Sequence, residues 1–140
     1  MTEATDADLL AFLEGWQAGP ERNKEIFLHY KEQLERDKNT QLEFIPRPGI
    51  TYSLRATHKA GKTRRLFAVI DVIEDTPRWL SVCFYADMIT DPEGKGDAVP
   101  GGLLGEDAVC FDLEAWDDEG VRYVASRLDE ACQHAAQEEQ

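Results

Sequence analysis

The residues able to do chemistry are scattered along this sequence, and each short pattern they form lacks part of what its chemistry needs. Ala60-Gly61-Lys62-Thr63 resembles the end of a phosphate-binding loop. That loop needs a glycine five residues before Gly61 and a helix after Thr63 to point amide N–H groups at phosphate. Ala56 stands at the first position and a strand-like run follows the second, so the segment reads as a turn. Asp87, Asp91, Glu93, Asp97, Glu106 and Asp107 invite calcium binding or paired-carboxylate catalysis. Asp91-Pro92-Glu93-Gly94-Lys95-Gly96-Asp97 lacks the ligand register of a calcium loop and sets the cation Lys95 among the acids. Acid–base work would need one of these carboxylates desolvated.

Glu130, His134 and Glu138 recur at i, i+4, i+8 and share one helix face, but a metal would need a further ligand from elsewhere. His29 and His58 stand apart from every cysteine in sequence. Cys83, Cys110 and Cys132 are odd in number and widely spaced, without a CxxC pair. They read as reduced, half-buried apolar residues of a reducing compartment. Cys83 and Cys110 fall within apolar strands, where a thiol is packed rather than activated. No nucleophile elbow, zinc-hydrolase helix or dinucleotide fingerprint occurs. No catalytic residue, metal ligand or cofactor is assigned.

Charge offers a better lead. The 140 residues carry a net −13, distributed as −4 over residues 1–40, +5 over 41–70 and −14 over 71–140. Overall acidity argues against general affinity for nucleic acid. The basic middle is compatible with a local anion site. If residues 50–57 and 64–73 pair as a hairpin, Arg55, Lys59, Lys62, Arg64 and Arg65 gather near one end with His58 beside them. Such a cluster can hold a phosphate, a carboxylate or an acidic segment. It also serves simply to keep a hairpin tip solvated.

The elements that must position these groups follow from periodicity. Thr5 is placed to cap a helix carrying Leu9, Leu10, Phe12, Leu13 and Trp16, stopped by Gly19-Pro20. A second helix is expected from about Glu21 to Asp37, with Ile26, Phe27, Tyr30 and Leu34 as its stripe. Leu42 and Phe44 lead through Pro46-Arg47-Pro48-Gly49 as a short edge strand or extended approach. Ile50, Tyr52, Leu54 and Ala56 alternate with polar residues as a half-buried strand. His58 to Lys62 turns the chain. Leu66–Ile73 is a central strand and Trp79–Tyr85 another, giving an antiparallel meander. Residues 87–107 read as a long Gly/Pro/Asp-rich loop, shortened by a turn of helix near 86–90. Val109, Phe111 and Leu113 resume a strand. Asp117 caps a last helix over 117–136, with Trp116 and Val121 spaced as a hydrophobic staple and Val121, Val124, Ala125, Leu128, Cys132 and Ala135 as its buried stripe.

The expected fold is α+β: a two-layer sandwich with an antiparallel sheet of four or five strands, covered on one face by the N-terminal and C-terminal helices. One domain over 1–140 is expected, with a helical part at 5–37, a sheet at 42–113 and the terminal helix. No apolar run approaches the ~20 residues that span a bilayer. The acidic start MTEATDADLL lacks the basic flank of a signal peptide, so a cytoplasmic place is expected.

Trp79-Leu80-Ser81-Val82-Cys83-Phe84, followed by Ala108–Leu113 and the helix from Asp117, resembles the small bacterial YjbR/YdhG-type domains over residues 65–135. The resemblance rests on the order of elements and implies the same α+β layout. For some members it implies DNA binding, which the −14 over residues 71–140 argues against here. No functional residue is carried over by it. The leading expectation is therefore a non-enzymatic protein-binding or adaptor domain, its partner a protein or a second copy of the chain. The alternatives are an anion- or nucleic-acid-binding module built on the basic hairpin 55–65, and an enzyme whose site forms at the acidic loop 87–107.

Overall fold

The computed structural model describes residues 3–59 and 66–137, with side chains from Asp6 onward. Its elements are α1 (Glu3–Gly15), α2 (Asn23–Glu35), β1 (Thr40–Arg47), β2 (Thr51–His58), β3 (Leu66–Ile73), β4 (Trp79–Tyr85), β5 (Asp97–Leu103), β6 (Glu106–Leu113) and α3 (Asp118–Gln137). The strands form one antiparallel sheet in the order β1-β2-β3-β4-β6-β5. The α+β class with terminal helices is as expected, and the sheet has six strands where four or five were expected.

The additional strand is β5, inside the segment read as a loop. It pairs with β6 from Asp97↔Cys110 to Leu103↔Glu106, with a register shift between Val99 and Leu103. Six of its seven residues are exposed, so it carries no apolar alternation. Pro100 is tolerated there because an edge strand need not donate on its outer side. The helical turn expected near 86–90 is a plain turn, in which Met88 N–H donates to Tyr85 O at 3.0 Å.

At the other edge, β1 runs the full length of β2, with Pro46 opposite Tyr52. The turn between them holds Gly49 at φ 84°, a left-handed conformation that glycine adopts without a Cβ penalty. β3 lies third in the sheet, as its continuous apolar run implied.

Strand parity sorts the side chains onto two faces. Tyr52, Leu54, Ala56 and His58 of β2 are buried, as are Leu80, Val82 and Phe84 of β4, and all three helices pack on that side. On the opposite face Ser53 donates to Asp71, and burial holds the Asp71 carboxyl above its ordinary value against the pull of Ser53 and Arg55. The same face carries a disulfide between Cys83 and Cys110, which stand directly opposite each other on β4 and β6. This corrects the expectation of reduced cysteines for Cys83 and Cys110, whereas Cys132 is a free, half-buried thiol as expected. Far apart in sequence, Cys83 and Cys110 are made neighbours by the β4–β6 ladder.

The helices begin and end slightly differently from the sequence reading. α1 starts before Thr5, which lies within the helix rather than at its cap, and it stops at Gly15 ahead of Gly19-Pro20. It is fastened by Arg78, whose guanidinium makes two bonds to Glu74, at 3.0 and 2.9 Å. The same cation lies 5.0 Å from the Phe12 ring, 5.2 Å from Tyr52 and 5.6 Å from Trp16. One ion pair wrapped in three aromatic rings thus joins α1 to β2.

α2 is preceded by Arg22 at φ 64° and opens with Asn23, fully buried, which donates to Arg78 O and Glu114 O at 2.7 and 2.9 Å. Asp117 caps α3 as expected, accepting from Gly120 N–H at 2.9 Å. Trp116 packs beneath the Arg22 guanidinium at 4.5 Å and edge-on to His29. None of the described helices is long and apolar enough to cross a membrane.

Candidate functional site

The helices α2 and α3 lie side by side on the sheet, and two hydrogen-bonded bridges fix their spacing. Tyr30 OH donates to Val121 O at 2.9 Å from a fully buried position. Burial pushes that hydroxyl well above its ordinary titration range, so it remains a donor. Gln33 Nε2 donates to Ala125 O at 2.8 Å and to Asp129 Oδ1 at 2.9 Å. Between the helices runs a groove of about 690 Å³, floored by Leu34, Ala125 and Leu128 and rimmed by polar side chains. Its volume is that of a small-ligand pocket. Arg36 and Arg122 stand exposed on its rim, and neither forms an ion pair among the described residues.

Three unlike donors meet where the groove touches the sheet. Asp37 lies in the turn after α2, where its Oδ1 accepts Asn39 N–H at 2.7 Å. That bond fixes the carboxylate and leaves Oδ2 facing inward. Cys132 on α3 donates its thiol to Oδ2 at 3.0 Å. His58 Nε2, from the last residue of β2, lies 3.5 Å from the same oxygen. One ligand atom from each residue falls within 4.8 Å of the others.

The sheet is shaped to hold His58 there. His58 is 3% exposed and continues the buried parity of Tyr52, Leu54 and Ala56. The β2–β3 register shifts between Ala56 and Thr57, so that Ala56 faces Ala68 and Thr57 faces Leu66, with Phe67 as the extra residue. Bulges re-aim side chains in this way. Phe67 is fully buried with its ring 6.4 Å from that of His58.

The electrostatics of the trio follow from these bonds. The Cys132 thiol and the Asn39 N–H hold the Asp37 carboxyl below its ordinary value, with His58 adding to the effect. Burial, reinforced by the Asp37 carboxylate, pushes the Cys132 thiol up to about 12. A thiol so held is protonated at neutral pH and is not a nucleophile. The set suits binding through N, O and S donors better than covalent catalysis.

The residues expected to form a site fall elsewhere. Arg55 lies on β2 facing away from the groove, opposite Glu43 and Val69, with its Nε buried and unpartnered. Lys59 is exposed just beyond β2. Lys62, Arg64 and Arg65, with the Ala60–Thr63 turn, lie outside the described residues. His58, expected to join the basic tip, instead points into the core.

The acidic segment also proves to be built differently. Asp91 Oδ1 accepts from Tyr123 OH and from Lys95 N–H at 3.0 Å, and Oδ2 accepts from Gly96 N–H at 2.9 Å. The Tyr123 hydroxyl is the main reason the Asp91 carboxyl sits below its ordinary value. Glu130 accepts Thr90 Oγ1 at 2.7 Å, pinning the turn before Asp91 to α3, and forms an ion pair with Arg127 at 2.7 Å. Both carboxylates are anchors for the chain around them.

Sequence reasoning missed the trio because its members are far apart in the chain and sit on three different elements. Only the parity of His58 with the buried residues of β2 was available as a signal. No family model, curated protein or solved structure matches this chain.

Proposed function

We propose that this protein is a non-enzymatic binding domain whose contact surface is the groove between α2 and α3. Its occupant in this reading is a short, carboxylate-bearing segment of a partner protein. The observation that carries the reading is a cavity of ligand size with an apolar floor and two cations, Arg36 and Arg122, on its rim without ion-pair partners among the described residues. In a chain of net charge −13, rim cations left without acidic partners are the groups to recognise an anion. The bridges through Tyr30 and Gln33 hold the groove open before binding, which lowers the ordering cost of association. Binding rather than turnover is favoured because the thiol beside the groove is held protonated by burial and by Asp37.

The test is selection of a random peptide library on the immobilised protein. Acidic peptides are expected to be enriched. Their binding should fall at least about tenfold in Arg36→Glu/Arg122→Glu, the cost of reversing rim charges, and be lost when Ala125→Trp fills the floor. Peptides that bind those variants as well as the parent would overturn the reading.

A further inference from the structure

The trio at the end of the groove, a buried histidine beside a half-buried carboxylate and thiol, is an unusual set to assemble for packing alone. A histidine 3% exposed, a carboxylate and a thiol share one oxygen, although a hydroxyl would serve that oxygen better than sulfur as a hydrogen-bond donor. Sulfur and imidazole have a second property in common: both are strong ligands for borderline and soft metals.

The spacing fits such an ion. Tetrahedral zinc with bonds of about 2.3 Å to sulfur and about 2.0–2.1 Å to nitrogen and oxygen sets its donors roughly 3.3–3.6 Å apart. His58 Nε2 to Asp37 Oδ2 is 3.5 Å and Cys132 Sγ to Asp37 Oδ2 is 3.0 Å, with all three donors inside 4.8 Å. The Asp37–His58 edge matches that spacing, the Asp37–Cys132 edge must open by roughly half an ångström, and the Cys132–His58 edge lies within 4.8 Å.

The surroundings also resemble those of a ligand set. The Asn39 N–H on Asp37 Oδ1 orients the carboxylate from behind, as outer hydrogen bonds do at metal centres. Phe67 supports the imidazole ring from the bulge. Asp37, Cys132 and Thr40 line the groove, so a fourth coordination position faces open space.

We propose that Asp37, His58 and Cys132 form a three-ligand site for a thiophilic divalent cation, zinc above all, with its fourth position open to the α2–α3 groove. The mixed N, O and S set selects zinc over magnesium and calcium, which demand oxygen ligands. A closed structural zinc site carries four protein ligands; three leave the fourth position to water or a bound ligand. The thiol proton is released to solvent as the sulfur–metal bond forms. This site goes beyond the peptide-binding reading of the groove and stands or falls without it.

The test uses the full, tag-free chain after chelator treatment, titrated with cobalt(II) by absorbance and with zinc chloride by calorimetry. The expected result is one ion per chain and an intense thiolate-to-cobalt charge-transfer band. Cys132→Ser should abolish the band and weaken zinc binding at least about 100-fold, with Asp37→Asn and His58→Gln each weakening it about 10-fold or more. His134→Ala, on the same helix, should change neither. Circular dichroism checks that each variant is folded, and the parent spectrum needs no variant. Absence of the band at equimolar cobalt, or zinc binding by folded Cys132→Ser at parental strength, would overturn the site.

Discussion

Two polar clusters tie α3 to the rest of the molecule, and they use their carboxylates in opposite ways. Around Asp91, every partner is a hydrogen-bond donor of fixed position: Tyr123 OH, Lys95 N–H and Gly96 N–H. Those bonds divide between both oxygens and commit the group to its own loop and to Tyr123 of α3. Around Asp37, one oxygen is spent on the local turn through Asn39, and the other faces a thiol and an imidazole from two distant elements. The first arrangement is what a chain needs to hold a turn against a helix. The second gathers groups whose common chemistry is ligation. The lesson is that a carboxylate count says little until the partners of each oxygen are known.

The contrast can be broken by substitution, beginning with the largest expected loss of stability. Asp91→Ala removes the acceptor of three hydrogen bonds and should cost about 2–3 kcal/mol, read from urea unfolding in the absence of metal. Tyr123→Phe removes one donor to Asp91 and the acceptor of Glu93 N–H, and should cost about 1–1.5 kcal/mol in the same assay. Asp37→Asn keeps a carbonyl oxygen for its neighbours and should cost under about 0.5 kcal/mol, while removing the anionic ligand of the proposed site. Equal costs at Asp91 and Asp37 would erase the distinction between anchor and ligand.

Acid sharpens the same comparison. Asp91 and Asp37 both titrate below their ordinary value in the folded chain. Their contribution is present above the ordinary carboxylate range near pH ~3.9 and is lost as pH falls through the folded values. Asp71 is shifted upward by burial, so its contribution has the opposite sign: it is present at low pH and lost as pH rises through the folded value. Unfolding free energies measured from pH ~7 to ~3 should therefore fall less steeply at the acid end for Asp91→Asn than for the parent. The slope for Asp71→Asn should be steeper than the parent's, because the group that gains from acid has been removed.

Much of the fold was legible because its elements announce themselves locally. The stripe of Ile26, Phe27, Tyr30 and Leu34, the alternation of Tyr52, Leu54 and Ala56, and the Asp117 cap each carry their signal within a few residues. β5 was not legible, because an edge strand exposed on both faces has no apolar pattern to read. The site was hidden for a related reason. His58 shares the parity of its strand, which is a local signal, but nothing in the sequence near Asp37 or Cys132 says that β2 and α3 converge there. The Cys83–Cys110 bridge was equally invisible, since it depends on which strands become neighbours in the sheet. Patterns along the chain report burial well; they do not report which buried or half-buried groups face one another.

The most direct measurement of the central claim is a zinc-edge anomalous difference map from crystals of the intact chain grown with equimolar zinc chloride. The account predicts one dominant peak about 2.3 Å from Cys132 Sγ and about 2.0–2.2 Å from His58 Nε2 and Asp37 Oδ2, with its fourth position turned to the α2–α3 groove. A map with no peak there, or with its dominant peak on other side chains such as His134, would contradict it.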